Sequence, residues 1–92
     1  SGPPAMERDL PPERLARLDH PRVRGRGVVF PSWHDNRRHA CYVMGVALEH
    51  LAGARLADDA LLDAFHAHRR RIHAAAHALL ARGVRTDPVL LT

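Results

Sequence analysis

Apolar residues in this chain change their spacing along its length, and each change marks a different kind of element. Val28-Val29-Phe30 is a β-branched and aromatic run, and Arg38–Met44 mixes Cys41, Tyr42, Val43 and Met44 in the same way. Both predict strands. Between them, Pro31–Arg37 contains Asp35-Asn36, side chains suited to a turn, so the two strands read as a hairpin. Alternation sends Cys41 and Val43 to one face and Tyr42 and Met44 to the other. Both faces are apolar, which calls for cover on two sides or for a partner on one.

After Gly45 the period lengthens. Val46, Ala47, Leu48 and Leu51 predict a short helix that stops at Gly53. The longest predicted element follows, one continuous helix over 59–82, roughly 36 Å at about 1.5 Å per residue. Asp58 is its expected N-cap, Asp59 suits the positive helix end, and Arg82-Gly83 close it. Leu61, Phe65, Ile72, Ala75, Ala76 and Leu79 share one face, with Leu62 and Leu80 at its edge, so the stripe is expected to lie on a sheet. Val89–Thr92, after the Asp87-Pro88 turn, predicts a last strand.

Ahead of the hairpin, Pro3, Pro4, Pro11, Pro12 and Pro21 interrupt any long element. A short helix over Glu13–Leu18 is expected there, with Pro12 at its first turn, and Arg22–Gly27 reads as a loop or the ragged start of a strand. Ser1-Gly2 has the look of a tag-cleavage remnant. The chain therefore divides into a Pro-rich segment, 1–21, and a single α+β domain, 22–92.

Composition narrows the chemistry. The chain has 92 residues, enough for one modest core. Its formal charge is +4, yet all 14 basic residues of the Lys/Arg type are arginine. A chain without lysine cannot form a lysine Schiff base or fill a Walker A motif. Cys41 is the single cysteine, so an internal disulfide is excluded and a reducing, cytoplasmic setting is expected. No apolar run approaches the roughly 20 residues of a membrane span.

From Arg26 to Thr92 the order of short motifs is more informative than any one of them. Gly27-Val28-Val29-Phe30-Pro31 is followed by Cys41-Tyr42-Val43 and by Ala47-Leu48-Glu49-His50-Leu51-Ala52-Gly53. Leu61-Leu62, Phe65, His68-Arg69, Ile72, Ala75, Gly83 and Val89-Leu90-Leu91-Thr92 complete the series. This series resembles a family of short bacterial proteins known as domain of unknown function 1488. The resemblance implies the order β-β-α-α-β, with a small antiparallel sheet (hairpin plus C-terminal strand) packed on the one long helix. It implies no activity. Gly45 departs from it, standing where a Ser-like helix cap is expected, and so does the Pro-rich segment before Arg22.

Eight histidines are many for this length. His73 and His77 are four apart, the spacing of a helical metal-binding pair, but no third ligand is visibly placed beside them, and a solvated polar flank is the plainer reading. His68 falls in the apolar face and is expected to be a core histidine. Cys41 has His39 two residues away but no helix N-terminus to lower its thiol pKa, so it is read as a small buried side chain. Ser32 lacks the context of a nucleophile elbow. Asp59 and Asp63 suit helix-end compensation better than paired acid–base chemistry. Phe30, Cys41, Leu61, Phe65, Ile72 and Leu79 are expected in the core, with Arg69 laying its stem along it.

No catalytic set, cofactor or metal site emerges. The preferred reading is a non-enzymatic accessory or interaction domain that self-associates, because the predicted helix outruns a short sheet and strand 38–44 is apolar on both faces. The alternative is a nucleic-acid accessory protein. Arg22, Arg24, Arg26, Arg37 and Arg38 flank the hairpin beside Trp33, His34 and Tyr42, a basic and aromatic ribbon able to track phosphates and stack bases. Either way Trp33, Arg37, Arg38 and Tyr42 form the expected interaction surface.

Overall fold

A computed structural model of the chain describes residues 20–92. The short helix expected over Glu13–Leu18 lies outside them. The described elements are β1 (Arg22–Val23), β2 (Gly27–His34), β3 (Arg37–Met44), α1 (Gly45–Ala52), α2 (Leu61–Ala67), α3 (Arg69–Ala81) and β4 (Val89–Leu91). A single 3₁₀ turn, Asp58–Ala60, leads into α2. The class is α+β, but the order is β-β-β-α-α-α-β rather than β-β-α-α-β. No helix among the described residues is long and apolar enough to cross a membrane.

The hairpin is tighter than its sequence suggests. β2 pairs antiparallel with β3 from Gly27↔Met44 to His34↔Arg37, leaving Asp35 and Asn36 alone in the turn. Both have positive φ, 53° and 62°, the backbone of a two-residue type I′ turn. Pro31 is therefore inside a strand, opposite Ala40. Counted from the turn, that pair exchanges no ladder bonds, and Pro31 also lies past the end of β1. Its missing N–H costs the described sheet nothing. Arg22 and Val23, in the stretch that reads as a loop or the ragged start of a strand, pair with Val29 and Val28.

The fourth strand corrects the sheet. β4 runs parallel to β3, with Cys41↔Val89 and Val43↔Leu91 in register, so the sheet is mixed, in the order β1-β2-β3-β4. Between β3 and β4 the chain passes through all three helices, the long crossover that parallel pairing requires. Period-2 alternation then sorts the side chains. Val28, Phe30, Cys41, Val43, Val89 and Leu91 point to the helices and form one core with Leu48, Leu61, Ala64, Phe65, Ile72, Ala76 and Leu80. The Phe30 and Phe65 rings meet at 5.0 Å between centroids.

The continuous helix over 59–82 is broken at His68, which leaves helical geometry at φ −115°, ψ 19°. Ala64 and Leu80 are both buried. On an unbroken wheel of about 100° per residue they stand roughly 160° apart, too far to face one core. The break lets α2 bury Leu61, Ala64 and Phe65 while α3 buries Ile72, Ala76 and Leu80. The inward face turns by roughly 60–70° between the two helices, which moves Leu79 to the half-buried rim and Ala75 to the surface. His68, expected in the core, is half-buried at the break, and Arg69 is exposed on the first turn of α3 rather than laid along the core.

α1 also starts in an unexpected way. Its N-cap position, Met44, supplies no side-chain hydrogen bond. The Gly45 amide instead donates to the Arg26 carbonyl at 2.6 Å. A Cβ at position 45 would sit 2.6 Å from that same oxygen, so the missing side chain permits the approach. Arg26 then reaches onward with its guanidinium. Nη1 donates to Asp58 Oδ1 (2.8 Å) and the Leu56 carbonyl (3.1 Å), and Nη2 to Glu49 Oε2 (3.1 Å). The Asp58 carboxylate, expected to cap the long helix, is held by Arg26.

Gly45→Ser, a gain of about 1 kcal/mol if position 45 merely lacked a cap, is expected to destabilise the domain by about 1–3 kcal/mol, the range of a steric overpacking. Chemical denaturation of the two proteins checks the sign, and a stabilised serine variant would show that the Arg26–Gly45 contact yields easily.

Candidate functional site

The three helices of the described residues lie on one face of the sheet. The other face carries Val29, Pro31 and Trp33 from β2, Ala40, Tyr42 and Met44 from β3, and Leu90 from β4, by the alternation that sends their neighbours inward. No described helix covers it. Trp33 is 59% exposed and Leu90 55%, with Met44 at 37%, so this face presents large apolar side chains to solvent.

Of the four residues expected to form an interaction surface, three share this face. Trp33 sits directly across the ladder from Arg38, and Tyr42 lies across from Val29. Arg37, paired with His34, projects to the helix side. Tyr42 is partly committed to the fold. Its hydroxyl donates to the Arg24 carbonyl at 2.8 Å, and a Cβ at Gly27 would lie 2.5 Å from its ring, so the ring packs over that glycine. Leu90 was not singled out from the sequence. The triplet Val89-Leu90-Leu91 held the signal, since alternation with two inward neighbours turns Leu90 outward.

The arginines do not form one ribbon. Arg22, Arg24 and Arg26 lie at the start of β2 and Arg37 and Arg38 at its far end, roughly 24 Å away over the steps between the first and last of its eight residues at about 3.4 Å each. Arg26 is turned away from the hairpin into its ion pairs with Glu49 and Asp58. The Leu56 amide, and then the Arg26 guanidinium, hold the Glu49 carboxyl below its ordinary pKa.

The histidines of α3 face different neighbours. His73 stands edge-on to Phe30 and Phe65 at ring-centroid distances of 5.1 and 6.1 Å, whereas His77 faces His34 of β2 at 5.9 Å. Among the described residues no group of three His, Cys, Asp or Glu side chains is placed to hold an ion. Burial lowers the His73 pKa, and the charges of His77 and Arg69 lower it further. Cys41 is fully buried, and burial pushes its thiol up to about 11, which keeps it protonated at neutral pH. Ser32 is 2% exposed and its hydroxyl has no hydrogen-bond partner among the described residues. A hydroxyl so enclosed has no path to a substrate.

Among the described residues, helices on one side of a four-stranded mixed sheet, and an apolar face on the other, define a small α+β domain. Residues 18–91 match the family described as protein of unknown function, DUF1488, and the chain belongs to that family. The match begins ahead of Arg26 and takes in β1. Neither the curated proteins nor the solved structures yield a match to it.

His73 gives a pH dependence with a definite sign. Its pKa is depressed in the folded state, so between the folded and unfolded values the unfolded chain binds more protons. Its contribution to stability is complete above the unfolded value, about 6.5, and is lost as pH falls through the folded one. Thermal unfolding should show a smaller loss of Tm between pH 7.5 and 5.5 in His73→Leu than in the wild type. Equal losses would free His73 of that role.

Proposed function

We propose that this domain is a non-enzymatic interaction module that pairs with a second copy of itself through the open face of the sheet. The observation that carries this reading is the exposure of Trp33 and Leu90 on a face that no described helix covers. The same face has a complementary feature. Near the start of β2, Arg24, Gly25, Val29, Tyr42 and Pro88 line a hollow of about 500 Å³. Trp33 projects four residues further along the strand, roughly 14 Å from Val29. A knob and a hollow at opposite ends of one face are brought together twice by a two-fold axis, which closes the assembly at two copies. Arg24 at the rim of the hollow offers a cation to the indole face.

Size sets the strength. Strands of eight residues at about 3.4 Å and four strands at about 4.8 Å spacing give a face of at most roughly 520 Å². A standard interface takes about 800 Å² from each partner. The expected dimer is therefore a reversible one. The long overhanging helix gives no support to self-association, because the break at His68 removes it. The two-sided apolar strand does. A free, buried Cys41 suits a reducing, cytosolic setting.

The nucleic-acid alternative keeps one support, the cross-strand pair of Trp33 and Arg38 next to exposed Arg37 at the hairpin tip. Short single-stranded and duplex oligonucleotides titrated across salt separate the two readings, since phosphate binding at the tip has to weaken with added salt.

Sedimentation equilibrium from about 10 µM to 1 mM, the range for an interface of this size, is expected to show the mass rising from the 10.2 kDa monomer towards twice that value. Leu90→Glu and Trp33→Ala should remain monomeric with an unchanged fold. A wild type that stays monomeric throughout overturns the proposal, as does dimerisation that both variants retain.

A further inference from the structure

Trp33, the knob of the pairing surface, stands on an overhang. Among the described residues β1 pairs with β2 only at Val28 and Val29, and β4 pairs with β3 only from Cys41 to Val43. From Pro31 to Ala40 the hairpin strands therefore have only each other as ladder partners within the described sheet. On the helix side, α3 faces this tip. Phe30 is the last apolar side chain that β2 turns inward; beyond it alternation brings Ser32 and His34, and from β3 Arg37 and His39. The Ser32 hydroxyl is buried without a partner among the described residues, so it adds no hydrogen bond there. Rings make the contact instead. His77 meets His34 edge-on at 5.9 Å, and one turn earlier His73 meets Phe30 at 5.1 Å.

The titratable groups on the two sides of this joint gain charge of one sign. His34 and His39 belong to the hairpin, with Arg37 on the same face, and His73 and His77 belong to α3, with Arg69 close enough to act on His73. Beyond the end of α3, Arg85 is held on the Leu80 and Val84 carbonyls and adds a further positive charge. Asp35 is the one carboxylate paired with these imidazoles among the described residues, its Oδ2 3.4 Å from His34 Nε2. At neutral pH the fixed charges of the tip's inner side, Arg37 and Asp35, offset each other. Protonation puts positive charge on both sides of the contact at once. Solvent screens each charge, that of exposed His77 above all, so the effect lies in their common sign. His73 and His77 are also four apart on one helix, where like charges weaken the helix itself. Burial, then His77 and Arg69, makes His73 harder to protonate in the folded joint, so charging it favours release.

We propose that this histidine joint is an acid-sensitive latch on the pairing surface: protonation frees the hairpin tip from α3, Trp33 loses its fixed position, and the dimer comes apart, a last step that rests on the pairing proposed above. Release of the tip itself depends only on the contacts with α3. A free imidazole takes its proton near pH 6.5, so the latch is closed above that pH and opens as pH falls below it. A knob that has to be ordered on binding costs affinity that a fixed knob does not. Val28, Phe30, Cys41 and Val43 stay packed with Leu48, Leu61 and Phe65, so the core is not part of what is released.

Two measurements, each at about pH 7.5 and about pH 5.5 to bracket the free imidazole, separate the steps. In ¹⁵N-labelled Leu90→Glu, which takes pairing out of the comparison, the ¹H–¹⁵N heteronuclear NOE of Trp33, Asp35 and Arg38 is expected to fall at the lower pH while those of Val28 and Val43 hold. Titration of a ring without release leaves that NOE unchanged. By sedimentation equilibrium the wild-type dimer is expected to weaken about tenfold over the same step, an ordinary coupling between two sites. His77→Gln and His34→Phe each remove one imidazole, from opposite sides of the contact, and each should hold the loss to about threefold. A tip whose NOE is the same at both pH values overturns the latch. So does a dimer equally tight at both, or one that weakens equally in the wild type and both variants. A wild type already monomeric at the higher pH fails the pairing and not the latch, which the NOE then decides.

Discussion

The Arg26–Gly45 contact joins the two layers of this domain. The Arg26 carbonyl accepts the first amide of α1 at 2.6 Å, and the Arg26 guanidinium holds Glu49, Asp58 and the Leu56 carbonyl. One residue thus ties the entrance of β2 to the start of α1 and to the loop that leads into α2. Its ion pairs are half-exposed and screened by solvent, so each adds little alone. Their value is geometric. They hold the start of β2 against α1 and against the loop that leads into α2. Glu49 strengthens the joint by accepting the Leu56 amide as well, which closes the loop over itself.

Once the helices are held on one side, the two faces of the sheet follow different rules. The inner face meets Leu48, Phe65, Ile72 and Leu80 and closes into a core. The outer face receives the alternate residues of the same strands, which are apolar too. No described helix covers that face, Trp33 and Leu90 stand in solvent on it, and this exposure is the source of the proposed pairing surface. The helical layer has its own imperfection. Because α2 and α3 bury different faces across the break at His68, the layer is not a simple slab, and a groove remains between α3 and α1.

The composition of the core was legible residue by residue. Phe30, Cys41, Leu61, Phe65 and Ile72 are buried as their spacing suggests, because burial of apolar area depends on local periodicity once the element type is right. Leu79 and Arg69 were displaced for one shared reason. Both were assigned on a continuous wheel, and a break that rotates the wheel by roughly 60–70° moves every residue beyond it. Gly45 was read as a weak cap when its meaning is a close approach by a carbonyl 19 positions earlier in the chain. The sheet face that no described helix covers was legible in part. Trp33, Arg38 and Tyr42 fell on one face by alternation, whereas Arg37 fell on the other and Leu90 was overlooked in a three-residue strand.

Local sequence was enough to determine the hairpin and its turn residues, the existence of the helices, most of the core side chains and the family to which the chain belongs. Each depends on neighbours within about a turn of helix or a few residues of strand, where periodicity and turn chemistry act directly. Tertiary structure alone decided that β4 runs parallel to β3, that the second helix breaks at His68, that Arg26 is spent on Glu49 and Asp58, and that Trp33 and Leu90 are exposed on one face that no described helix covers. All of these depend on contacts between residues far apart in the chain, and a local pattern carries no record of which distant partner will complete it.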